Sequence, residues 1–143
     1  MPDSRLPKNP PLRLTDLRRR VLEIVQNAGH PVTAYEILDL LRPQDASATP
    51  AGVYRSLEFL TRHGLAHRLE TTKAFVACAM PGHTHDHEVL ASQFLVCRNC
   101  GMAIEAEDSA LAEAVARLAL DKGFDISRGA VEISGLCRIC TIK

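Results

Sequence analysis

Residues 49–78, TPAGVYRSLEFLTRHGLAHRLETTKAFVAC, read as a capped helix followed by a two-stranded hairpin, and this reading decides the architecture of the first half of the chain. Thr49 is an N-cap with Pro50 at the first helical position. Val53, Leu57 and Leu60 recur on one helical face, and Gly64 stands where a C-terminal stop belongs, so the helix is expected over 50–63. Residues 65–69 and 74–78 have strand composition around Thr71-Thr72-Lys73. Upstream, Thr15 opens a helix over 15–28, with Leu17, Val21, Leu22, Val25 and Ala28 at helical spacing until Gly29-His30-Pro31. Thr33 and Glu36 form a capping box for a short helix over 33–42 that ends before Pro43. Three short helices and a hairpin make a winged helix-turn-helix, whose third helix enters the major groove of DNA while the hairpin lies against the backbone. Its candidate contacts are Tyr54, Arg55 and Ser56.

The first 20 residues carry six basic groups, Arg13 and Arg19 among them, against Asp3 and Asp16. Such a stretch can neutralise phosphates, or it can be a solvated helix face. Pro10-Pro11 excludes helix, so residues 1–12 are expected as an extended basic arm. The 143 residues carry 17 basic and 17 acidic groups with 46% hydrophobic residues, which excludes a charge-saturated disordered chain. A chain of this length buries about two-thirds of its unfolded surface, enough for two small units. No apolar run approaches the roughly 20 residues that cross a bilayer, and the start of the chain lacks a secretory signal, so a cytoplasmic protein is expected.

Beyond the hairpin, residues 79–92 read as a loop or hinge holding His83, His85 and His87. Residues 93–97 and 102–104 then read as strands, 109–122 as an alanine-rich helix stopped by Gly123, and 130–134 as a β-rich run. The expected fold class is α+β, with units at 1–78 and 93–143.

Cys97-Arg98-Asn99-Cys100-Gly101 and Cys137-Arg138-Ile139-Cys140 carry the densest chemistry. Each Cys-x-x-Cys brings two sulfurs to one ion, and four thiolates satisfy the tetrahedral preference of Zn2+ in a closed, structural site. A lone Cys-x-x-Cys could be a redox dithiol, and iron could take the same ligands, but two such pairs without a thioredoxin-like pattern point to zinc. The 36 residues between the pairs exceed a compact zinc ribbon, so the site staples the early strands to the end of the chain. Cys78 is left over beside the histidine-rich loop. Period-two alternation puts His67 on one face with Leu65 and Leu69, and Glu105 follows the first Cys pair. One thiolate, two imidazoles and a carboxylate would make a mixed tetrahedral site at the junction of the two halves. Taken singly, the same residues read as a buried thiol, a hydrogen-bonded histidine and a solvated acid.

In these stretches the chain resembles the ferric uptake regulator (Fur) superfamily, and within it the zinc uptake regulator (Zur) branch. The resemblance is carried by Arg13-Leu14-Thr15, by Ala34-Tyr35-Glu36-Ile37-Leu38, by Gly52-Val53-Tyr54-Arg55-Ser56-Leu57, by Gly64-Leu65-Ala66-His67 and by the two cysteine pairs. It implies a homodimeric, zinc-responsive repressor of zinc-uptake genes, with a DNA-binding winged helix and a dimerisation domain over 93–143. By matched motif it implies that Tyr54 and Arg55 contact DNA and that Cys97, Cys100, Cys137 and Cys140 hold a structural zinc. It also implies that His67, Cys78 and Glu105 are ligands of a regulatory zinc, giving two Zn2+ per protomer. The branch places the fourth regulatory ligand at position 90, which is Leu90 here, so His87, or alternatively His85 or His83, is expected to substitute. A third site of some relatives uses position 129, here Gly129, and is expected to be missing.

Three other functions fit parts of the sequence. A Fur-family sensor of another metal or of peroxide would share the architecture, although Cys78 departs from the all-nitrogen-and-oxygen sites of those sensors. A zinc-stapled interaction module without DNA binding would share the cysteine pairs. A zinc enzyme would need an open site with a general base, and the chain holds no His-Glu-x-x-His and no deaminase-type motif. The expected partners are operator DNA and a second copy of the chain, with no membrane and no small-molecule substrate.

Overall fold

The computed structural model describes residues 12–78, 92–126 and 130–143. Three helices, α1 (Asp16–Asn27), α2 (Ala34–Leu41) and α3 (Pro50–Arg62), are followed by a hairpin of β1 (Ala66–Arg68) and β2 (Phe75–Ala77). The helix starts are local events. Thr15, Thr33 and Thr49 each accept a hydrogen bond from the backbone N–H three residues on, and Thr33 and Glu36 complete a reciprocal capping box. Helix α3 ends where Gly64, at φ 72°, takes the left-handed conformation and Leu65 N–H returns to Leu60 O at 2.9 Å. The strand therefore leaves α3 with no slack between them.

Val21, Ile37, Leu41, Val53, Leu57 and Leu60 close the core of this first unit, none more than 1% exposed. Val32 joins it as an isolated bridge to Phe75, with N–H to O distances of 3.0 and 2.7 Å. The hairpin turn contains no glycine, and Lys73 itself adopts φ 57°.

The second unit is a sheet ordered β4-β3-β5, with β3 (Ser92–Cys97) antiparallel to β4 (Ala103–Ala106) and parallel to β5 (Ala130–Gly135). Helix α4 (Ser109–Asp121) makes the crossover that a parallel pair requires. Strand β3 opens at Ser92, one residue before the expected boundary. The chain closes with α5 (Arg138–Ile142), a helical turn the sequence pattern does not announce.

Register sorts this sheet into two faces. Phe94 pairs with Glu105 on one side and Glu132 on the other, so these three form a row on one face. Leu95 pairs with Ile104 and Ile133, and this row forms the opposite face, each residue about half exposed. The Phe94 face meets the hairpin. Leu69, fully buried, packs with Phe94 and Val96, and Val76 and Ala103 flank them. The hairpin and the sheet thus share a small core of their own.

Candidate metal centres and nucleic-acid interface

The four knuckle cysteines converge from two elements. Cys97 ends β3, and Gly101, at φ 76°, turns the chain so that its N–H reaches Cys97 O at 2.9 Å and Cys100 comes back over the strand. Cys137 stands at the N-terminus of α5, and Thr141 N–H bonds Cys137 O at 2.9 Å, so one helical turn puts Cys140 beside Cys137. Parallel pairing of β3 with β5, continued by Arg98 N–H to Gly135 O at 2.9 Å, brings the two knuckles together. The four Sγ atoms lie within 4.8 Å of one another. Cys100 and Cys137 sulfurs are 3.8 Å apart, the edge expected of a tetrahedron with Zn–S bonds of about 2.3 Å.

The electrostatics fit a cation. Backbone N–H groups of Cys100 and Cys137 lead the effects that draw the Cys97 thiol down to about 6. At Cys140 the Asn99 amide, 3.3 Å away, favours the thiolate, but neighbouring sulfurs and burial outweigh it and push the thiol up to about 11. One sulfur ionises readily and another resists, because negative charge accumulates in a small volume. A bound divalent ion removes that conflict. Asn99 is an addition the sequence reading did not single out; its position inside the first knuckle is the signal that could have found it.

A second cluster sits at the junction. His67 from β1, Cys78 just past β2 and Glu105 from β4 bring one ligand atom each to within 4.8 Å of one another. His67 Nε2 lies 3.9 Å from Glu105 Oε1, both side chains about one-fifth exposed, and its ring stands 5.5 Å from Phe94. Cys78 N–H bonds Leu65 O at 3.0 Å, which holds the thiol beside β1. The set is a nitrogen, a sulfur and a carboxylate drawn from both units, a donor mixture suited to Zn2+. His83, His85, His87 and Leu90 lie outside the described residues, as does Gly129.

On the winged helix, Tyr54 is 49% exposed and Arg55 projects from the same N-terminal half of α3. Arg13 and Arg19 are exposed, with Arg19 and Arg20 both paired to Asp16, the latter at 3.1 Å. Exposed pairs of this kind are weak, so both arginines can exchange Asp16 for a phosphate. Ser56 requires a correction: it is 3% exposed and its hydroxyl donates to Gly52 O at 2.9 Å. It lies three residues after Val53 and four before Leu60, on the buried stripe of α3, and presents nothing to DNA.

The sequence profile of the ferric uptake regulator family matches residues 9–134. The chain belongs to the ferric uptake regulator family. It is 33% identical over 129 residues to the zinc uptake regulation protein of Escherichia coli K12, covering 90% of this chain and 73% of that protein. Among solved structures it is similar to holo XcZur, at 37% identity and a TM-score of 0.80 over 94% of this chain and 90% of that one. It is equally similar in fold to a zinc uptake regulator complexed with zinc and DNA, at 32% identity and a TM-score of 0.80, covering 92% of this chain and 85% of the other. This Fur-family fold, helices plus sheets in an α+β arrangement, is the one expected. Among the described residues no helix is long and apolar enough to cross a membrane.

Proposed function

We propose that this Fur-family chain is a zinc-responsive, DNA-binding transcriptional repressor that acts as a homodimer and controls zinc-uptake genes when metal-loaded. The observation that carries the reading is the His67–Cys78–Glu105 cluster, whose members come from both sides of the junction between the winged helix and the sheet. Bound zinc would supply a doubly charged centre that gathers a thiolate, imidazole and carboxylate into one shell. His87, or else His85 or His83, would add the fourth ligand. Drawing His67 and Cys78 toward Glu105 fixes the hairpin against β4, and through Leu65 it fixes α3. Zinc thus favours DNA binding by the amount it stabilises this closed arrangement over others. Cys97, Cys100, Cys137 and Cys140 hold a second, structural ion, making two per protomer.

Tyr54 and Arg55 then enter the major groove, with Arg13 and Arg19 on phosphates. The exposed row Ile104–Leu95–Ile133, together with α4, which buries no residue in the single chain, supports a second copy covering that face. A repressor of this kind works in the cytoplasm, and it is a regulator rather than an enzyme.

Metal stoichiometry with a binding assay tests the proposal. Wild type should hold two zincs per protomer, one removed by mild chelation, and Cys78→Ser should hold only the tight one. Fluorescence anisotropy on DNA upstream of zinc-uptake genes should show affinity lost with the removable zinc and regained on its return. One tight zinc in both proteins, or equal DNA affinity with and without the removable ion, would refute it.

A further inference from the structure

The row Glu105–Phe94–Glu132 faces the hairpin, and two of its three members already have roles there: Glu105 in the junction cluster, Phe94 in the shared core. The third reaches a different part of the hairpin. Glu132 Oε2 accepts the Glu70 N–H at 2.8 Å and Glu132 Oε1 accepts the Thr71 N–H at 2.6 Å. One carboxylate thus takes both leading amides of the turn, a charge-assisted pair of bonds of the stronger kind. The surroundings support the ionised form. The Glu70 side chain, which would repel it, is paired with Lys73 at 2.9 Å and Arg68 at 3.5 Å. Burial alone would raise the Glu132 carboxyl, but the bonds from Thr71 and Glu70, with Lys73 nearby, hold it below the ordinary carboxylate range.

The geometry points to Glu132 as a positioning residue: a latch that needs no regulatory metal, fixes the tip of the hairpin to β5 and thereby presets the junction for regulatory zinc. A hairpin held through His67 and Cys78 and by the non-directional packing of Leu69 on Phe94 and Val96 can still tilt on the sheet. Held at the turn as well, by directional bonds to β5, it has its direction set. Because α3 runs into β1 without slack, the recognition helix is set with it. The latch contributes no ligand atom, so it acts only on the balance between closed and open junctions. It rests on the proposal that zinc binds and favours the closed form.

By linkage, loss of the latch makes regulatory zinc bind more weakly by the factor that the closed form is depopulated. For two partly solvated charge-assisted bonds the expected factor is about tenfold, or about 1.4 kcal/mol. Zinc alone is the probe, added to full-length Glu132→Ala and Glu132→Gln in competition with a chromophoric chelator. Glu132→Ala should bind the removable zinc about tenfold more weakly with the four-cysteine zinc unchanged. Glu132→Gln should fall between, since its amide oxygen accepts one N–H while its NH2 opposes the other. Amide hydrogen exchange at Glu70 and Thr71 reads the latch without zinc and should speed up by a similar factor in Glu132→Ala. A purely structural role would lower the unfolding midpoint while leaving zinc affinity within twofold of wild type, and that result overturns the proposal. If the wild type proves to bind no removable zinc, the zinc-sensor reading fails by itself. The latch then stands or falls on the exchange rates, and unchanged protection of the two amides sinks it.

Discussion

Leu57 and Leu69 are both leucines with essentially no exposure, yet truncating them should have different consequences. Leu57 lies on α3 in the core of the winged helix, whereas Leu69 is buried between the hairpin and the sheet against Phe94 and Val96. A Leu→Ala change in a packed core costs about 2–5 kcal/mol. Leu57 is enclosed by the larger cluster, so Leu57→Ala should cost about 3 kcal/mol of global stability, roughly 10 °C in Tm for a chain of this size. Opening the junction does not expose Leu57, and regulatory zinc affinity should stay within twofold. Leu69 has fewer neighbours and belongs at the low end, about 2 kcal/mol. Opening the junction exposes it, so the cost should fall on the closed form and weaken regulatory zinc by up to about 30-fold, the full factor applying when the zinc-free junction is mostly open. Both proteins are assayed by thermal unfolding with zinc removed and by zinc competition. Equal losses of Tm with zinc affinity unchanged in both would refute the reasoning, because the junction would then behave as part of one rigid core.

Arg55→Ala should weaken zinc-loaded DNA binding by roughly 5- to 150-fold, the range of a lost base contact, while Ser56→Ala should cost about 1 kcal/mol of stability and leave DNA affinity within twofold; anisotropy and urea unfolding separate the two. Glu36 is held below its ordinary value of 4.5 chiefly by the Thr33 N–H at 2.6 Å, so its ionised form stabilises the fold above that pH and the contribution is lost as pH falls through the folded value. The group is exposed, and Glu36→Gln should therefore lose only about 1 kcal/mol at pH 7, with the difference from wild type shrinking below pH 4.5 in parallel urea titrations; a difference independent of pH would remove the charge from the account.

Much of the fold is legible because its signals are local. Each of the first three helices begins at a threonine that caps it and ends within a residue or so of the expected point, since caps and apolar period are properties of neighbouring residues. The cysteine spacing announces a four-sulfur cluster for the same reason, two residues at a time, and the fold only has to bring the pairs together. Helix α5 is illegible because Arg138–Ile142 has no helical pattern; Cys137 and the knuckle geometry shape it. Ser56 misleads by residue type, a hydroxyl beside Tyr54 and Arg55, although its place on the Val53–Leu57–Leu60 stripe argued for burial. Glu132 is silent in the sequence, as its partners lie 61 and 62 residues away and offer backbone N–H groups, which carry no side-chain signature.

The central strand β3 ties these features into one device. Its Phe94 face meets the hairpin, where Glu105, Phe94 and Glu132 hold the junction cluster, the shared core and the turn. Its Leu95 face is apolar and exposed with Ile104 and Ile133, the surface a second copy would cover. Its last residue is Cys97, so the four-sulfur cluster pins β3 to β5 at the end of that pairing, where Cys97 sits opposite Gly135. A structural ion there would do more than staple the chain. It would fix the β3–β5 register on which the Phe94–Glu132 row depends, since a slip of one residue would turn Glu132 away from the hairpin. Loss of the four-cysteine ion should therefore abolish regulatory zinc binding as well, whereas loss of regulatory zinc leaves the sulfur cluster loaded. That one-way dependence is expected from topology: β3, β4 and β5 pair with one another and not with β1 or β2, so the register at the cysteine cluster is set within the sheet, whereas the hairpin takes its direction from its contacts with the sheet.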